Sequence, residues 1–144
     1  MATVPSIPGT EEVLSALGRW PSFHDAEVLH FSLYRGATSE EKKSEARLDV
    51  QVREYETRHE GTAQYERVLV KKVLIRFAFA GVEEVQVEDF NFQNVINSLE
   101  ICPNTGGPER RIRVEVESIY GFGATWLCSS AKVASVSQQA TSEA

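Results

Sequence analysis

The chain has 144 residues and a mass of 16.1 kDa, the size of one ordinary domain, with 42% hydrophobic and 25% charged residues. This composition is globular and excludes a fibrous or wholly disordered chain. The net charge of −6 argues against nucleic-acid binding, which ordinarily needs a basic surface. No apolar run reaches the roughly 18 residues that span a bilayer, so no membrane partner is expected.

The chain is expected to begin with an extended arm and a short helix. Residues 1–9 carry two prolines and a glycine, which favour an extended segment. Thr10 is positioned to cap a helix of about two turns whose apolar side carries Val13 and Leu17, and Gly18 is placed to end it. A helix this short must be held by packing against the rest of the domain.

From Ala26 onward the apolar residues recur every second position, which predicts strands. The last strand is predicted over 124–133, polar loops at 36–44 and 104–108, and a turn with a short helical piece at 90–96. The expected fold is α+β and mainly antiparallel β: a short N-terminal helix followed by a curved antiparallel sheet of about six to eight strands. The predicted divisions are an arm (1–9), one domain (10–133) and a flexible polar tail (134–144).

The two cysteines, Cys102 and Cys128, form neither a disulfide framework nor a metal-binding spacing. We expect two free thiols packed as small hydrophobic groups. The alternative is a disulfide between them, because both lie in predicted strands. The N-terminus has neither the basic nor the apolar region of a signal peptide, which predicts a cytoplasmic protein.

The densest group of functional side chains lies between the helix and the first strand. It comprises Trp20, Phe23, His24, Asp25 and Glu27. One interpretation makes His24 a general base paired with Asp25, with Glu27 as a metal ligand. The favoured interpretation is structural: the two aromatic rings close the end of the sheet, and the histidine and aspartate bond to turn backbone. Adjacent side chains of an extended segment point in opposite directions, which argues against the first.

No other motif indicates catalysis or a cofactor. His24, His30 and His59 are scattered, and with two separated cysteines they give no zinc spacing. The run Tyr120–Gly123 lacks the lysine and the helix of a phosphate-binding loop, and no nucleophile-elbow pattern is present. We therefore expect no enzyme activity, no catalytic residues, no metal and no cofactor.

An acidic and amide-rich stretch is the predicted partner-binding segment. Its residues are Glu83, Glu84, Glu88, Asp89, Asn91 and Gln93, and no Lys or Arg occurs from Gly81 to Glu109. Acidic side chains would steer a basic partner and amides would supply hydrogen bonds, with Trp126 or Tyr120 as an aromatic anchor if exposed. The alternatives are a solvated acidic face and amides that satisfy turn backbone.

Three segments resemble the pattern of one bacterial immunity protein family, the group called immunity protein 50. They are WPSFHDAEV at 20–28, FNFQNVI at 90–96 and ESIYG at 117–121, so the similarity runs from about Gly18 to Cys128. The resemblance implies a small, mainly β protein of a polymorphic toxin system. Such a protein binds and neutralises a cognate toxin, encoded beside it, in the cytoplasm. No catalytic or binding residue is carried over from the family.

We therefore expect a non-enzymatic, acidic protein that occludes the active site of a toxin, either as a monomer or as a homodimer paired through strand edges. One alternative is a small-molecule or carbohydrate binding module with a concave, aromatic-lined pocket. A less favoured alternative is a hydrolase in which the side chains of His24, Asp25 and Glu27 converge in a cleft.

Overall fold

The computed structural model describes residues 3–36, 44–104 and 111–141. Within these residues one short helix precedes eight strands, which form one open, curved antiparallel sheet and confirm the predicted fold class. The elements are α1 (Thr10–Leu17), β1 (Glu27–Tyr34), β2 (Glu45–Arg58), β3 (Glu66–Ala80), β4 (Glu83–Glu88), β5 (Val95–Asn104), β6 (Arg111–Tyr120), β7 (Gly123–Cys128) and β8 (Ser130–Gln138). The strand order is β4-β7-β6-β5-β1-β2-β3-β8. The loops predicted at 36–44 and 104–108 lie largely outside the described residues.

Helix α1 is held by packing, as its length requires. Val13 and Leu17 are buried against the core, and the helix contacts β8 and β3. Gly18 ends the helix in the left-handed conformation, with its N–H bonded to the Leu14 carbonyl at 2.7 Å. The predicted Thr10 cap is wrong, because Gly9 occupies the N-cap position and no side chain caps the helix.

The chain bends between β3 and β4 and again between β7 and β8, and the two bends lie side by side at one corner of the sheet. Ala80 pairs with Ser130 and Glu83 with Leu127, so one antiparallel register continues from the β3–β8 pair into the β4–β7 pair. At the corner, the backbone N–H and the hydroxyl of Ser129 both donate to the Ala80 carbonyl, at 2.9 and 3.0 Å. The bend therefore places the two halves of the sheet face to face while its backbone hydrogen bonds are kept.

The core fills the space between these halves. Trp126 on β7 is 1% exposed and contacts Phe79 of β3 and Phe31 of β1, with ring centroids 5.1 and 5.3 Å apart. Phe77 extends this aromatic cluster toward the helix. Such contacts across the interior stabilise the curvature, because each ring loses most of its water-exposed area. Trp126 is consequently not available as a surface anchor.

Three local predictions differ from the structure. The alternation in β1 is interrupted by a bulge after Val28, so Phe31 faces the core while Leu29 is exposed. Residues 90–94 contain no helical turn, and β5 begins at Val95. The predicted last strand is two strands, β7 and β8, and β8 runs to Gln138, because residues up to that position pair with β3.

A buried carboxylate joins β2 to β3 on the outer face of the sheet. Asp49 is 4% exposed and accepts two hydrogen bonds from Arg47, at 3.1 and 2.6 Å, and one from Arg76 at 3.2 Å. Burial raises the pKa of this carboxyl, but the bonds and charges of Arg47 and Arg76 outweigh burial and hold the pKa below its ordinary value. Asp49 is therefore charged in the folded protein at neutral pH.

The two cysteines are free, as expected. Cys128 is buried beside the Ile112 carbonyl, and burial raises the pKa of its thiol to about 11 while the Arg111 charge lowers it. Cys102 is exposed on β5. Only Cys128 is therefore packed as a small hydrophobic group, and its thiol is protonated at neutral pH.

Substituting Gly81→Ala tests the corner. Gly81 has a φ of +66°, and an added Cβ would lie 2.9 Å from the Cβ of Ser129, so the two bent strands must separate. We expect the free energy of unfolding to fall by about 2–4 kcal/mol in urea denaturation. Gly61→Ala is the matched control, because Gly61 has a φ of +79° with open space around it. This substitution should lower the free energy of unfolding by only about 1 kcal/mol. Equal losses in the two variants would contradict the close packing at the corner.

Substituting Asp49→Asn tests the ion-pair network through its pH dependence. A carboxyl whose pKa is lowered by folding contributes stability above its unfolded pKa, and that contribution is lost as pH falls through the folded pKa. We expect Asp49→Asn to lower the free energy of unfolding by about 1–3 kcal/mol at pH 7. The difference in this free energy between the variant and the wild type should narrow below about pH 4. Glu100→Gln, at an exposed position, should change stability by less than about 0.5 kcal/mol. A gap that stays constant with pH would show that the Asp49 charge is not involved.

Candidate functional site

The three segments that carry the family resemblance, 20–28, 90–96 and 117–121, meet at one end of the sheet. The Val28 N–H donates to the Asn94 carbonyl at 2.8 Å, which joins the first segment to the second. The rings of Phe92 and Tyr120 pack edge to face at 6.2 Å, which joins the second to the third. Residues far apart in the chain therefore form one continuous region, and we treat it as the candidate site.

Asn94 lies at the centre of this region, 3% exposed, and all of its side-chain bonds are to backbone. Its Oδ1 accepts from the N–H groups of Asn91 and Phe122, at 2.7 and 3.1 Å. Its Nδ2 donates to the Asn91 carbonyl at 2.9 Å and to the Val28 carbonyl at 3.4 Å. One amide thus fixes the 89–94 loop, the β6–β7 turn and the start of β1, as the turn interpretation of the amides predicts for this residue.

Gly121 allows the β6–β7 turn to approach this amide. Its φ is +82°, and an added Cβ would lie 2.6 Å from Asn94 Oδ1 and 2.5 Å from the Gln93 carbonyl oxygen. Both the backbone conformation and the close approach therefore require glycine. The Tyr120–Gly123 run forms the turn between β6 and β7, and Gly121 is needed there for close packing.

The opening motif divides into buried rings and exposed polar groups. Trp20 and Phe23 are buried with ring centroids 5.7 Å apart, and both contact Phe77. Phe23 and Asp25 have positive φ angles of 64° and 67°, so the segment turns and does not extend. The adjacent side chains of His24 and Asp25 consequently approach each other, with Nε2 3.6 Å from Oδ1, contrary to the expectation for an extended segment.

The His24 side chain bonds to another side chain, and within the described part of the chain it makes no bond to turn backbone. His24 Nδ1 lies 3.0 Å from Asn97 Oδ1, and Asn97 Nδ2 donates to Glu117 at 3.1 Å. This chain of contacts extends the candidate site from the opening motif to β6. His24 and Asp25 are exposed, and they line a shallow cavity of about 250 Å³ that does not include Glu27. The three side chains of the hydrolase alternative are therefore not gathered in one cleft.

The predicted partner-binding residues separate into two groups. Glu88, Asp89, Asn91 and Gln93 lie in and beside the 89–94 loop, and all four side chains are exposed. Glu83 and Glu84 lie at the other end of β4, about 17 Å away for a strand of this length. Glu83 forms an ion pair with Arg111.

The partner-binding residues predicted from the sequence do not include the exposed phenylalanines of this loop. Phe92 is 86% exposed and Phe90 is 54% exposed, while neighbouring Tyr120 is 45% exposed. Their signal is present in the sequence: two phenylalanines stand two positions apart among Asp, Asn and Gln, with no apolar residue between 88 and 94 besides them. A core segment would show a longer apolar pattern.

A cavity of about 690 Å³ lies elsewhere, over the ends of β2, β3 and β8. Its lining combines three cationic side chains, two aromatic ones and one carboxylate with small residues, and it includes none of the predicted site residues; the larger side chains are Arg47, Arg76, Lys132, Tyr34, Phe79 and Glu45. No helix within the described residues combines the length and apolar character needed to cross a membrane. Across 3–36, 44–104 and 111–141, no three His, Cys, Asp or Glu side chains are grouped as metal ligands.

Substituting Asn94→Ala tests whether this amide holds the region together. The change leaves the buried N–H of Phe122 and the part-buried N–H of Asn91 without their acceptor, so we expect the free energy of unfolding to fall by about 2–4 kcal/mol in urea denaturation. Gln93→Ala is the control, because the Gln93 side chain is exposed and should change stability by less than about 0.5 kcal/mol. Wild-type stability in Asn94→Ala would show that the loop is held by other contacts.

Comparison with known proteins places this chain in one family. Among curated proteins, and among solved structures, nothing matches the chain. The family model described as Immunity protein 50 matches residues 9–139, which include α1 and every strand of the sheet. Because this match covers most of the 144 residues, the chain belongs to the immunity protein 50 family.

Proposed function

We propose that this protein binds a cognate bacterial toxin in the cytoplasm and neutralises it without catalysing a reaction. Family membership over residues 9–139 is the observation that carries this proposal. The toxin partner would be encoded beside this chain, as the polymorphic toxin systems of such families imply. The alternatives that invoke a small ligand or hydrolysis have no comparable support.

The proposed mechanism is occlusion of the toxin's active site. A toxin inhibited in this way is blocked as long as the complex persists, so inhibition requires one molecule of this protein for each toxin molecule. A sheet whose halves enclose one aromatic core is suited to this task, because it presents its surface with little rearrangement. The groups that contact the toxin are then already in position in the free protein, and little affinity is lost in ordering them.

The distribution of charge supports a basic partner. Glu88 and Asp89 are exposed side by side at the 89–94 loop, and the chain contains no Lys or Arg between Gly81 and Glu109. Acidic groups on one surface raise the rate of encounter with a basic protein and oppose association with acidic ones.

A titration of the toxin with this protein tests the proposal. The probe is the toxin domain encoded next to this chain, produced in small amounts and assayed for its own activity. We expect residual activity to fall linearly and to reach zero at one equivalent of this protein, because occlusion is stoichiometric. Coexpression should also restore growth to cells that produce the toxin.

A catalytically inactive form of the same toxin is the control, because it should still form a one-to-one complex in size-exclusion chromatography. Complete neutralisation by far less than one equivalent would indicate an enzyme and would contradict the proposal. Full toxin activity in excess of this protein, with no complex formed, would contradict it as well.

A further inference from the structure

The 89–94 loop and the adjoining turn expose a cluster of aromatic side chains, Phe90, Phe92 and Tyr120, which we call the aromatic ridge. Phe92 is 86% exposed and touches the Tyr120 ring at 6.2 Å. Single exposed apolar residues are ordinary on protein surfaces. Three aromatic side chains gathered on one loop and its neighbouring turn are not, because their hydration costs free energy that burial against a partner recovers.

The backbone of the ridge is fixed before any partner arrives. Asn94 bonds to both backbone groups of Asn91 and to the Phe122 N–H, so the backbone on either side of Phe92 and beyond Tyr120 is held. A loop whose backbone is already fixed loses little backbone entropy on binding, which favours affinity. The same bonds prevent the loop from folding Phe92 into the protein's own core.

A line of rings connects the ridge to the interior. Phe90 packs edge to face on Phe122 at 5.9 Å, Phe122 contacts Phe31 at 5.1 Å, and Phe31 contacts Trp126 at 5.3 Å. Phe122 and Trp126 are fully buried. Phe90 is therefore the supported base of the ridge and Phe92 its exposed tip, an arrangement typical of an interface residue that enters a pocket.

Acidic residues flank the ridge. Glu88 and Asp89 precede Phe90 directly, and both are exposed. A second copy of this chain, with the same flanks and a net charge of −6, would be repelled by them. An anionic lipid surface would be repelled for the same reason. The complementary partner is a protein with Lys and Arg around an apolar pocket.

We propose that the aromatic ridge is the surface that binds the toxin, with Phe92 entering an apolar pocket rimmed by basic side chains. This inference rests on the proposed function and specifies its interface. Phe92 supplies most of the contact energy, Tyr120 and Phe90 hold it in position, and Glu88 and Asp89 accelerate the encounter.

Binding kinetics of Phe92→Ala against the catalytically inactive toxin domain encoded next to this chain test the proposal. We expect the dissociation constant to rise at least about 30-fold, mainly through faster dissociation. Tyr65→Ala is the matched control: Tyr65 is 56% exposed in the β2–β3 connection and should change the constant less than about threefold. Both variants should melt within about 2 °C of the wild type, because neither ring is part of the core.

Removal of the flanking charges tests the remaining part of the proposal. The double variant Glu88→Gln/Asp89→Asn should slow association about tenfold at low ionic strength, and the difference should shrink at high salt. Glu60→Gln/Glu66→Gln removes the same charge from the exposed β2–β3 end and should leave association within about twofold. Equal slowing in both double variants would mean that only net charge matters and would overturn the steering role.

The outcomes separate this inference from the proposed function. If Phe92→Ala binds and neutralises the toxin as the wild type does, the ridge is not the interface, while the proposed function stands. If the wild-type protein neither binds nor inhibits the toxin, both fail. A wild-type dimer in sedimentation that becomes monomeric in Phe92→Ala would assign the ridge to self-association and overturn the inference.

Discussion

The hydrogen bonds of the Asn94 side chain connect the parts of this structure that strand pairing connects least. Strands β1 and β5 share a single register pair, Glu27 with Val95, although together they join the two halves of the sheet. Asn94 reinforces this junction from within by bonding to the start of β1 and to the β6–β7 turn. This buried amide adds to three backbone hydrogen bonds across the junction, which run from the N–H groups of Asp25, Ile96 and Val28 to the carbonyls of Ile96, Ala26 and Asn94.

The opposite side of the sheet is joined in a different way. There the β3–β4 and β7–β8 strands bend together around Gly81 and Ser129 with one register from the Phe77–Val133 pair to the Glu83–Leu127 pair, and Trp126 packs against rings from the facing half. The first joint combines backbone hydrogen bonds with those of the Asn94 side chain, and the second combines the close approach at Gly81 with the two Ser129 bonds to the Ala80 carbonyl. The loop at the first joint can consequently carry exposed aromatic side chains without loss to the core, because its backbone is already held.

Much of the fold could be predicted from local patterns. The alternation of β3, with Val73, Ile75, Phe77 and Phe79 on one face, is reproduced in their burial, because a half-covered sheet imposes a period of two. The bulge after Val28 could not be predicted in this way, because it depends on how β2 pairs with β1. The candidate site was found only in part: the acidic and amide residues of the loop follow from composition, whereas the exposure of Phe92 depends on what lies around it.

The sequence by itself determined the class of the fold, the single short helix and its end at Gly18, the acidic character of 81–109, and three segments with a family resemblance. These follow from periodicity, turn chemistry and charge, which act over a few neighbouring residues. Only the tertiary structure decided that the three segments meet around Asn94, that His24 reaches Asn97 and Glu117, and that Trp126 is buried while Phe92 is exposed. Burial and side-chain partners depend on residues dozens of positions apart, and strand pairing and the corner at Gly81 bring those residues together.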